Sequence, residues 1–159
     1  MKNTLPTSTY NIQKMSFTEL SLSQFYQVAK LRQDVFIIEQ QSIYPDLDDM
    51  DGEAIHFLCW ASVQTDVKLM AYARYRFCDL INQVKIERVV LAVEARSKGL
   101  GKQLMQEIIT DIQTQHAGMP ISLSSQLAAQ AFYQGLGFVA EGDSYDDGGI
   151  EHITMWYRF

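Results

Sequence analysis

Residues 84–93 (VKIERVVLAV) end in an uninterrupted apolar run, and this feature constrains the fold more than any other in the sequence. A strand that is apolar on both faces must be covered on both faces, as the central strand of a sheet is. The run leads to Gly99 and Gly101, after which apolar residues recur with helical spacing as far as Ile112. The sequence therefore predicts a central strand, a glycine-containing turn and a helix.

Apolar patterns elsewhere in the chain predict a mixed sheet with helices on its faces. Alternation with a period of two over residues 55–63 and 69–77 predicts an antiparallel hairpin. Ser21 and Gln24 fit a capping box before an amphipathic helix, and residues 40–52 are typical of an irregular loop. Further strands are predicted at residues 10–17, 121–123, 138–141 and 150–159, with a turn at 147–149 and a short helix from a Ser125 cap to Tyr133. We expect one α/β or α+β domain spanning residues 1–159.

The charge balance and the apolar runs limit the possible partners. With 19 acidic and 13 basic residues the formal net charge is -6, which argues against a general nucleic-acid binder because phosphate backbones require basic surfaces. The longest apolar run, residues 89–93, is far too short to cross a bilayer. Cys59 and Cys78 belong to no spaced Cys/His set, which predicts a reduced protein without structural zinc. We therefore expect a cytoplasmic protein with no metal, no nucleic-acid partner and no membrane partner.

The stretch at residues 95–102 (ARSKGLGK) places three cations and two glycines between the predicted strand and helix. The first amides of a helix have no intrahelical partner, and together with the helix dipole they suit an anion. Gly99 and Gly101 lack the Cβ atoms that would keep phosphate oxygens away from the backbone. Arg96, Lys98 and Lys102 add positive charge around them. This combination predicts a site for a pyrophosphate.

Two common phosphate-binding loops do not fit this stretch. A P-loop needs a glycine where Arg96 stands and a Ser or Thr where Gln103 stands. The dinucleotide fingerprint needs a third glycine at the position of Leu104, and it opens a βαβ unit near the start of its domain. The pattern that remains is R-x-x-G-x-G from Arg96 to Gly101.

This pattern, after a strand and before a helix, resembles the pyrophosphate-binding motif of the GNAT N-acetyltransferase superfamily, whose members bind acetyl-coenzyme A. Ala129, Tyr133, Gly137 and Phe138 match the closing motif of that superfamily, whereas Gln126 stands in place of its usual Asn. Resemblance to the ElaA-like branch extends over Leu31-Arg32, Val35-Phe36, Glu39-Gln40, Tyr44-Pro45, Asp46, Asp48, Asp51, His56, Tyr72-Ala73-Arg74, Tyr145, Asp147-Gly148, His152-Ile153 and Met155, with Gly149 inserted. The fold that it implies is a mixed, mostly antiparallel central sheet flanked by helices.

The resemblance also implies a set of site residues. Those for the coenzyme are Leu91, Ala92, Val93, Arg96, Ser97, Lys98, Gly99, Leu100, Gly101, Lys102, Gln126, Ala129 and Tyr133. In the superfamily, backbone groups at the end of the central strand hold the pantetheine arm. Tyr133 takes the position of the general acid that protonates the coenzyme thiolate, and the alternative is a tyrosine that only packs on its helix.

A general base is useful because only roughly one alkylamine in a thousand is neutral at pH 7. Glu87 is a candidate since burial in its apolar strand would raise its pKa, and the alternative is a salt bridge to Lys85 or to an arginine. His56, His152 and a water relay are further alternatives. Candidate acceptor-binding residues are Arg32, Gln40, His56, Arg74, Tyr145 and His152.

The aspartates of the predicted loop allow several interpretations. Started at Asp46, the segment lacks the oxygen ligand and the glycine that a calcium loop needs at its fifth and sixth positions. A solvated acidic loop and attraction of a cationic amine both remain open. Arg32, Arg74 and Arg88 either line the acceptor pocket or pair with these acids.

The sequence thus predicts an acetyl-coenzyme A-dependent N-acetyltransferase that works by direct transfer, because neither cysteine lies in a recognised nucleophile motif. The acceptor is expected to be a small-molecule or peptide amine, and a homodimer is the candidate assembly. The alternative function is a coenzyme A-binding sensor or interaction module without turnover.

Overall fold

The computed structural model describes residues 9–63 and 65–158. Eight strands form one sheet: β1 Tyr10–Ser16, β2 Ile55–Val63, β3 Asp66–Cys78, β4 Gln83–Leu91, β5 Ile121–Gln126, β6 Phe138–Ala140, β7 Tyr145–Asp147 and β8 Ile150–Tyr157. Within the described residues three α-helices accompany it: α1 Leu22–Arg32, α2 Leu100–Gln115 and α3 Gln130–Gln134. A π-helix, Gln33–Glu39, continues directly from α1.

The strand order is β1-β2-β3-β4-β5-β8-β6, and β7 pairs with β8. In the described part of the chain, the β4–β5 pair is parallel and the other strand pairs are antiparallel. The expected mixed, mostly antiparallel sheet with flanking helices is therefore confirmed. The predicted hairpin of β2 and β3 is present, and the predicted turn before the last strand joins β7 to β8 through Gly148 and Gly149, both at positive φ.

The predicted central strand lies in the middle of the sheet as β4. Its pairing with β5 is short, because only Val84, Lys85 and Ile86 have partners on that strand. On the other side the register with β3 shifts, since Arg74 lies opposite Glu87 while Tyr72 lies opposite Val90. One extra residue on β4 is thus accommodated as a bulge, where Arg88 has a φ of 58°. Beyond the bulge β4 and β5 separate, and a gap opens between them.

The apolar residues of α2 lie on the face of the helix that packs into the core. Leu104, Met105, Ile108 and Ile112 are fully buried. The burial of these four side chains contributes roughly 1.5–3 kcal/mol each to folding. No helix in the described residues is long and apolar enough to span a membrane.

The N-terminal helix begins as predicted and ends differently. The Ser21 Oγ accepts a hydrogen bond from the Gln24 amide at 3.1 Å, and the Gln24 side chain accepts one from the Ser21 amide at 2.9 Å. Past Arg32 the turns widen, so that the Gln40 amide donates to the Val35 carbonyl at 2.9 Å, five residues back. π-Helical turns often occur at functional sites.

The predicted cap at Ser125 is wrong. Ser125 lies inside β5, which extends to Gln126 because its last residues pair with β8. The Ser125 hydroxyl donates to the Gln126 carbonyl at 2.8 Å and caps no helix. A 3-10 turn, Leu127–Ala129, follows the strand, and α3 begins only at Gln130.

Candidate active site

A cavity of about 800 Å³ opens where β4 and β5 separate. One wall is β4 from Lys85 to Leu91, and the segment at residues 96–102 forms one end. The opposite wall combines the end of β5 with α3. The π-helix, the loop after it and the β7–β8 hairpin complete the lining.

The stretch at residues 95–102, which is predicted to bind a pyrophosphate, lies at this cavity, and most of its residues line it. Ser97 and Gly99 have φ values of 61° and 78°, which turn the chain sharply into α2. At the start of α2 the Gln103 amide donates to the Gly99 carbonyl, at 3.1 Å. Among the described residues, no carbonyl accepts from the amides of Leu100, Gly101 or Lys102. Such unpaired amides at a helix start can bind an anion, and the pyrophosphate site stays a prediction.

The two glycines of the motif have different structural reasons. Gly99 has the left-handed backbone that favours glycine, and the space around it is open. A Cβ on Gly101 would lie 3.3 Å from Phe132 Cζ and 3.6 Å from Leu91 Cδ1. Gly101 thus has a packing reason that the sequence did not show, because it allows α2 to lie close to α3 and β4, and its role toward a phosphate stays a prediction.

The basic residues of the motif are arranged unequally. Arg96 forms a bidentate ion pair with Glu39 on the π-helix and also donates to the Leu91 carbonyl. Lys102 is exposed and lines the cavity, whereas Lys98 is exposed outside the lining. Of the predicted pantetheine-binding positions, Leu91 lines the cavity, and Ala92 and Val93 lie beyond it.

Tyr133 lies on α3 with only 8% of its surface exposed, and it lines the cavity. Its ring packs edge-on against Phe132 and Phe138. Burial raises the pKa of Tyr133, so the hydroxyl keeps its proton. Gln126 and Ala129 also line the cavity, and the Gln126 amide donates to the Gln40 side chain at 2.8 Å.

The expected rise in the pKa of Glu87 is wrong. Burial alone would raise it, but the hydrogen bond and charge of Arg76 and the charge of Arg74 lower the pKa of Glu87. Arg76 contacts both carboxylate oxygens at 2.9 Å, and Arg74 Nε lies 3.1 Å from Oε2. Glu87 lines the cavity. Its carboxylate pairs with arginines, which is the alternative to a general base that the sequence allowed.

A buried ionic cluster replaces the solvated acidic loop. Arg32 and Arg74 are fully buried, and both donate to one oxygen of Asp51, at 2.8 and 2.6 Å. Asp46 accepts from Arg32, and Asp48 accepts from Arg74. The arginines therefore pair with the acids, and in the described structure neither Arg32 nor Arg74 lines the cavity.

Arg88 belongs to this ionic cluster and also lines the cavity. Its Nη2 lies 3.0 Å from Asp48 Oδ2, and its Nε lies 2.9 Å from Asp46 Oδ1. The guanidinium lies over the Tyr44 ring at 5.3 Å from the centroid. Arg88 and Tyr44 line the cavity together with Ser42 and Asp147. Sequence reasoning allowed Arg88 either to line the pocket or to pair with the acids, and in the structure it does both. It did not assign Ser42, Tyr44 or Asp147 to the site, although Tyr44 and Asp147 belong to the ElaA-like pattern.

The two candidate histidines occupy different environments. His56 is fully buried, with its ring nitrogens 2.7 Å from the Tyr72 hydroxyl and 2.9 Å from the Asp51 carbonyl. Burial lowers the pKa of His56, which keeps the ring neutral. Both nitrogens are thus engaged away from the cavity, and the prediction of an acceptor-binding His56 finds no geometric support.

His152 does line the cavity, as Gln40 does. Its Nδ1 lies 2.7 Å from the Ile150 carbonyl. The Tyr145 ring stacks on it with centroids 6.3 Å apart, and the Tyr145 hydroxyl contacts Ser124 Oγ. Tyr145 is not among the described lining residues, and it contacts the cavity residue His152 through this stacking.

Comparison with known proteins agrees with this geometry. The family model of the acetyltransferase (GNAT) domain matches residues 37–159. The ElaA protein of Escherichia coli is 35% identical over 146 residues, which are 90% of this chain and 93% of that protein. The crystal structure of E. coli ElaA matches with a TM-score of 0.85 and 33% identity, over 94% of this chain and 100% of that one.

Two further crystal structures show related folds. An acyl-CoA N-acyltransferase from Pseudomonas aeruginosa matches with a TM-score of 0.85 and 32% identity, over 94% of this chain and 100% of that one. The PaiA N-acetyltransferase of Thermoplasma acidophilum, in complex with coenzyme A, shares the fold with a TM-score of 0.66 and 14% identity, over 95% and 99% of the two chains. Because the GNAT model and ElaA both match over most of its length, the chain belongs to the GNAT acetyltransferase family, in its ElaA-like branch.

Proposed function

We propose that the cavity binds acetyl-coenzyme A and that the protein transfers the acetyl group directly to a primary amine. One observation carries the proposal: the residues with open amides at the start of α2 line the same cavity as Tyr133 and the separated edge of β4. The P. aeruginosa relative, described as an acyl-CoA N-acyltransferase, and the PaiA complex with coenzyme A support it. The proposal treats the chain as a single cytoplasmic domain.

The proposed coenzyme site uses backbone more than side chains. The amides of residues 97–102 hold the pyrophosphate, with Lys102 adding charge. Residues 87–91 of β4, which have lost their partners on β5, offer backbone groups to the pantetheine arm. The coenzyme supplies the activated acetyl thioester, and the chain orients it.

Tyr133 is the proposed general acid. A departing thiolate needs a proton, and the raised pKa of Tyr133 keeps one on its hydroxyl. None of the described residues hydrogen-bonds this hydroxyl, so it is available to a group in the cavity. The aromatic contacts with Phe132 and Phe138 hold the ring in place.

The acceptor amine is proposed to enter from the other end of the cavity, between the loop after the π-helix and β8. Gln40, Ser42, Tyr44 and His152 line that end. Glu87 is proposed to hold the guanidinium groups of Arg74 and Arg76, because both oxygens of its carboxylate already accept from them. These contacts leave Glu87 poorly suited to take a proton.

Coenzyme binding and turnover test the proposal separately. The protein is titrated with coenzyme A by calorimetry, and thiol release from acetyl-coenzyme A is followed with spermidine, an amino-acid amide, an aminoglycoside and a hexapeptide. We expect binding and acetylation of at least one amine. Tyr133→Phe is expected to lower kcat by about a hundredfold without changing coenzyme affinity.

Tyr26→Phe is the matched control, because Tyr26 is 66% exposed on α1. It removes the same hydroxyl group from the protein surface and is expected to leave kcat unchanged. Binding without acetylation of any amine would favour the sensor function. An unchanged kcat in Tyr133→Phe would contradict the assignment of Tyr133 as the general acid.

A further inference from the structure

His152 is presented to the cavity with one ring nitrogen already engaged. The Ile150 carbonyl, 2.7 Å from Nδ1, can only accept a hydrogen bond, so Nδ1 carries the hydrogen. In the neutral ring Nε2 then has the lone pair. The tautomer that a proton acceptor requires is therefore selected by the backbone of the same strand.

Two neighbours hold the ring in this orientation. Tyr145 on β7 is the direct cross-strand partner of His152, and their rings are stacked with an interplanar angle of 24°. On its other side His152 pairs with Gln126, the last residue of β5, whose amide contacts Gln40. The imidazole thus stands in a row of side chains that crosses three strands at the acceptor end of the cavity.

The other candidates for a proton acceptor in the cavity are engaged or poorly placed. Glu87 is held by two arginines, and Tyr44 donates its hydroxyl to Asp46. Asp147 lines the cavity from the end of β7 and is exposed. Among the described titratable groups of the lining, His152 alone combines a fixed tautomer with partial burial.

We propose that His152 Nε2 is the general base of the acetyl transfer, an inference that rests on the proposed function. The neutral amine nitrogen forms the new C–N bond, and Nε2 takes the N–H proton. The C–S bond breaks with its electron pair on sulfur, which receives the proton of the Tyr133 hydroxyl. Solvent then carries a proton from the imidazolium to the tyrosinate, which restores both groups and leaves an amide and a thiol.

The kinetic test uses the panel amine with the highest turnover. His152→Gln is expected to lower kcat by about a hundredfold and to keep the affinity for coenzyme A. In His152→Ala, added imidazole is expected to restore part of the lost rate, which a purely structural role does not explain. The same imidazole should not restore Tyr133→Phe.

A second readout needs no turnover. In ¹H–¹⁵N NMR spectra of the protein without ligand, the neutral His152 ring should show its hydrogen on Nδ1, with His152→Gln used for assignment. The opposite tautomer would overturn the inference.

The outcomes separate the two proposals. If no amine is acetylated, the proposed function fails and this inference fails with it. If an amine is acetylated and His152→Gln keeps its kcat, only the base assignment is wrong. A loss in Asp147→Asn together with full activity in His152→Gln would move the base to Asp147.

Discussion

The Glu39 carboxylate accepts two hydrogen bonds from the Arg96 guanidinium, at 2.6 and 2.8 Å, and thereby joins the end of the π-helix to the loop before α2. Arg96 is the first residue of the pyrophosphate motif, yet its charge is already neutralised. The same hydrogen bonds lower the pKa of Glu39. In the proposed complex, coenzyme phosphates must therefore compete with a carboxylate for this side chain.

Replacing Glu39 with Gln is expected to tighten coenzyme A binding roughly two- to fivefold, because an exposed ion pair no longer has to break. Calorimetry at low and high salt checks this, and the gain should shrink as salt screens the charges. Asp79→Asn, which removes an exposed carboxylate at the far end of β4, is the control for net charge. Weaker binding in Glu39→Gln would mean that Glu39 positions Arg96 for the phosphates.

The ionic cluster should make stability depend on acid pH. Burial alone would raise the pKa of Asp48, but hydrogen bonds from Arg74 and the Met50 amide, with the arginine charges, lower it from 3.8 to about 2. The unfolded chain then binds more protons than the folded chain between these values. The contribution of the Asp48 carboxylate to stability is fully present above about pH 5 and is lost as pH falls toward 2.

Urea unfolding between pH 2.5 and 7 measures this dependence. Asp48→Asn is expected to lower the free energy of unfolding at pH 7 by about 2 kcal/mol and to flatten its decline in acid. Asp49→Asn is the control, because the neighbouring Asp49 is exposed. Identical slopes in the wild type and Asp48→Asn would contradict the assignment.

The turn between β7 and β8 offers a matched pair of glycines. Gly148 and Gly149 have φ values of 63° and 82°, so alanine at either position should cost about 1–2 kcal/mol of backbone strain. A Cβ on Gly148 would also overlap Ser42 Oγ and lie 3.3 Å from Tyr44 Cδ1, whereas that on Gly149 meets open space.

Gly148→Ala is therefore expected to be less stable than Gly149→Ala by about 1–3 kcal/mol. Thermal unfolding of both variants gives the difference. Adding Ser42→Gly to Gly148→Ala should recover part of it by removing the overlapping oxygen. Equal losses of stability in the two alanine variants would show that the loop after the π-helix can move away from the added Cβ without loss of free energy.

Direct transfer predicts that the protein needs neither cysteine. Cys59 is buried, and burial raises the pKa of its thiol to about 11, which disfavours the nucleophilic thiolate. Neither cysteine lines the described cavity. The double variant Cys59→Ala, Cys78→Ser should keep its kcat, and initial-rate plots should intersect. Parallel lines would indicate an acetylated enzyme.

The elements that follow a regular period were predictable from sequence. The apolar patterns of the central strand and α2 are visible in the sequence, and the capping box of Ser21 and Gln24 marks the start of α1. The bulge at Arg88 and the π-helix were not predictable, because each accommodates an extra residue within a pattern that continues on both sides.

The pairing inside the site was harder to predict than its location. The burial of Glu87 followed from its strand, but the sign of its pKa shift depends on Arg74 and Arg76, which strand register brings beside it. Likewise, Asp46 and Asp48 meet arginines up to 42 residues away. Only the folded chain shows that these charges neutralise one another.

The length of the π-helix determines where Glu39 and Gln40 lie at the cavity. Glu39 reaches a partner 57 residues away, and Gln40 reaches one 86 residues away. Deleting a single residue from Gln33–Glu39 would change both the turn and the length of this segment and would displace both side chains from their partners. Natural variation in this segment should therefore preserve its length more strictly than its chemistry.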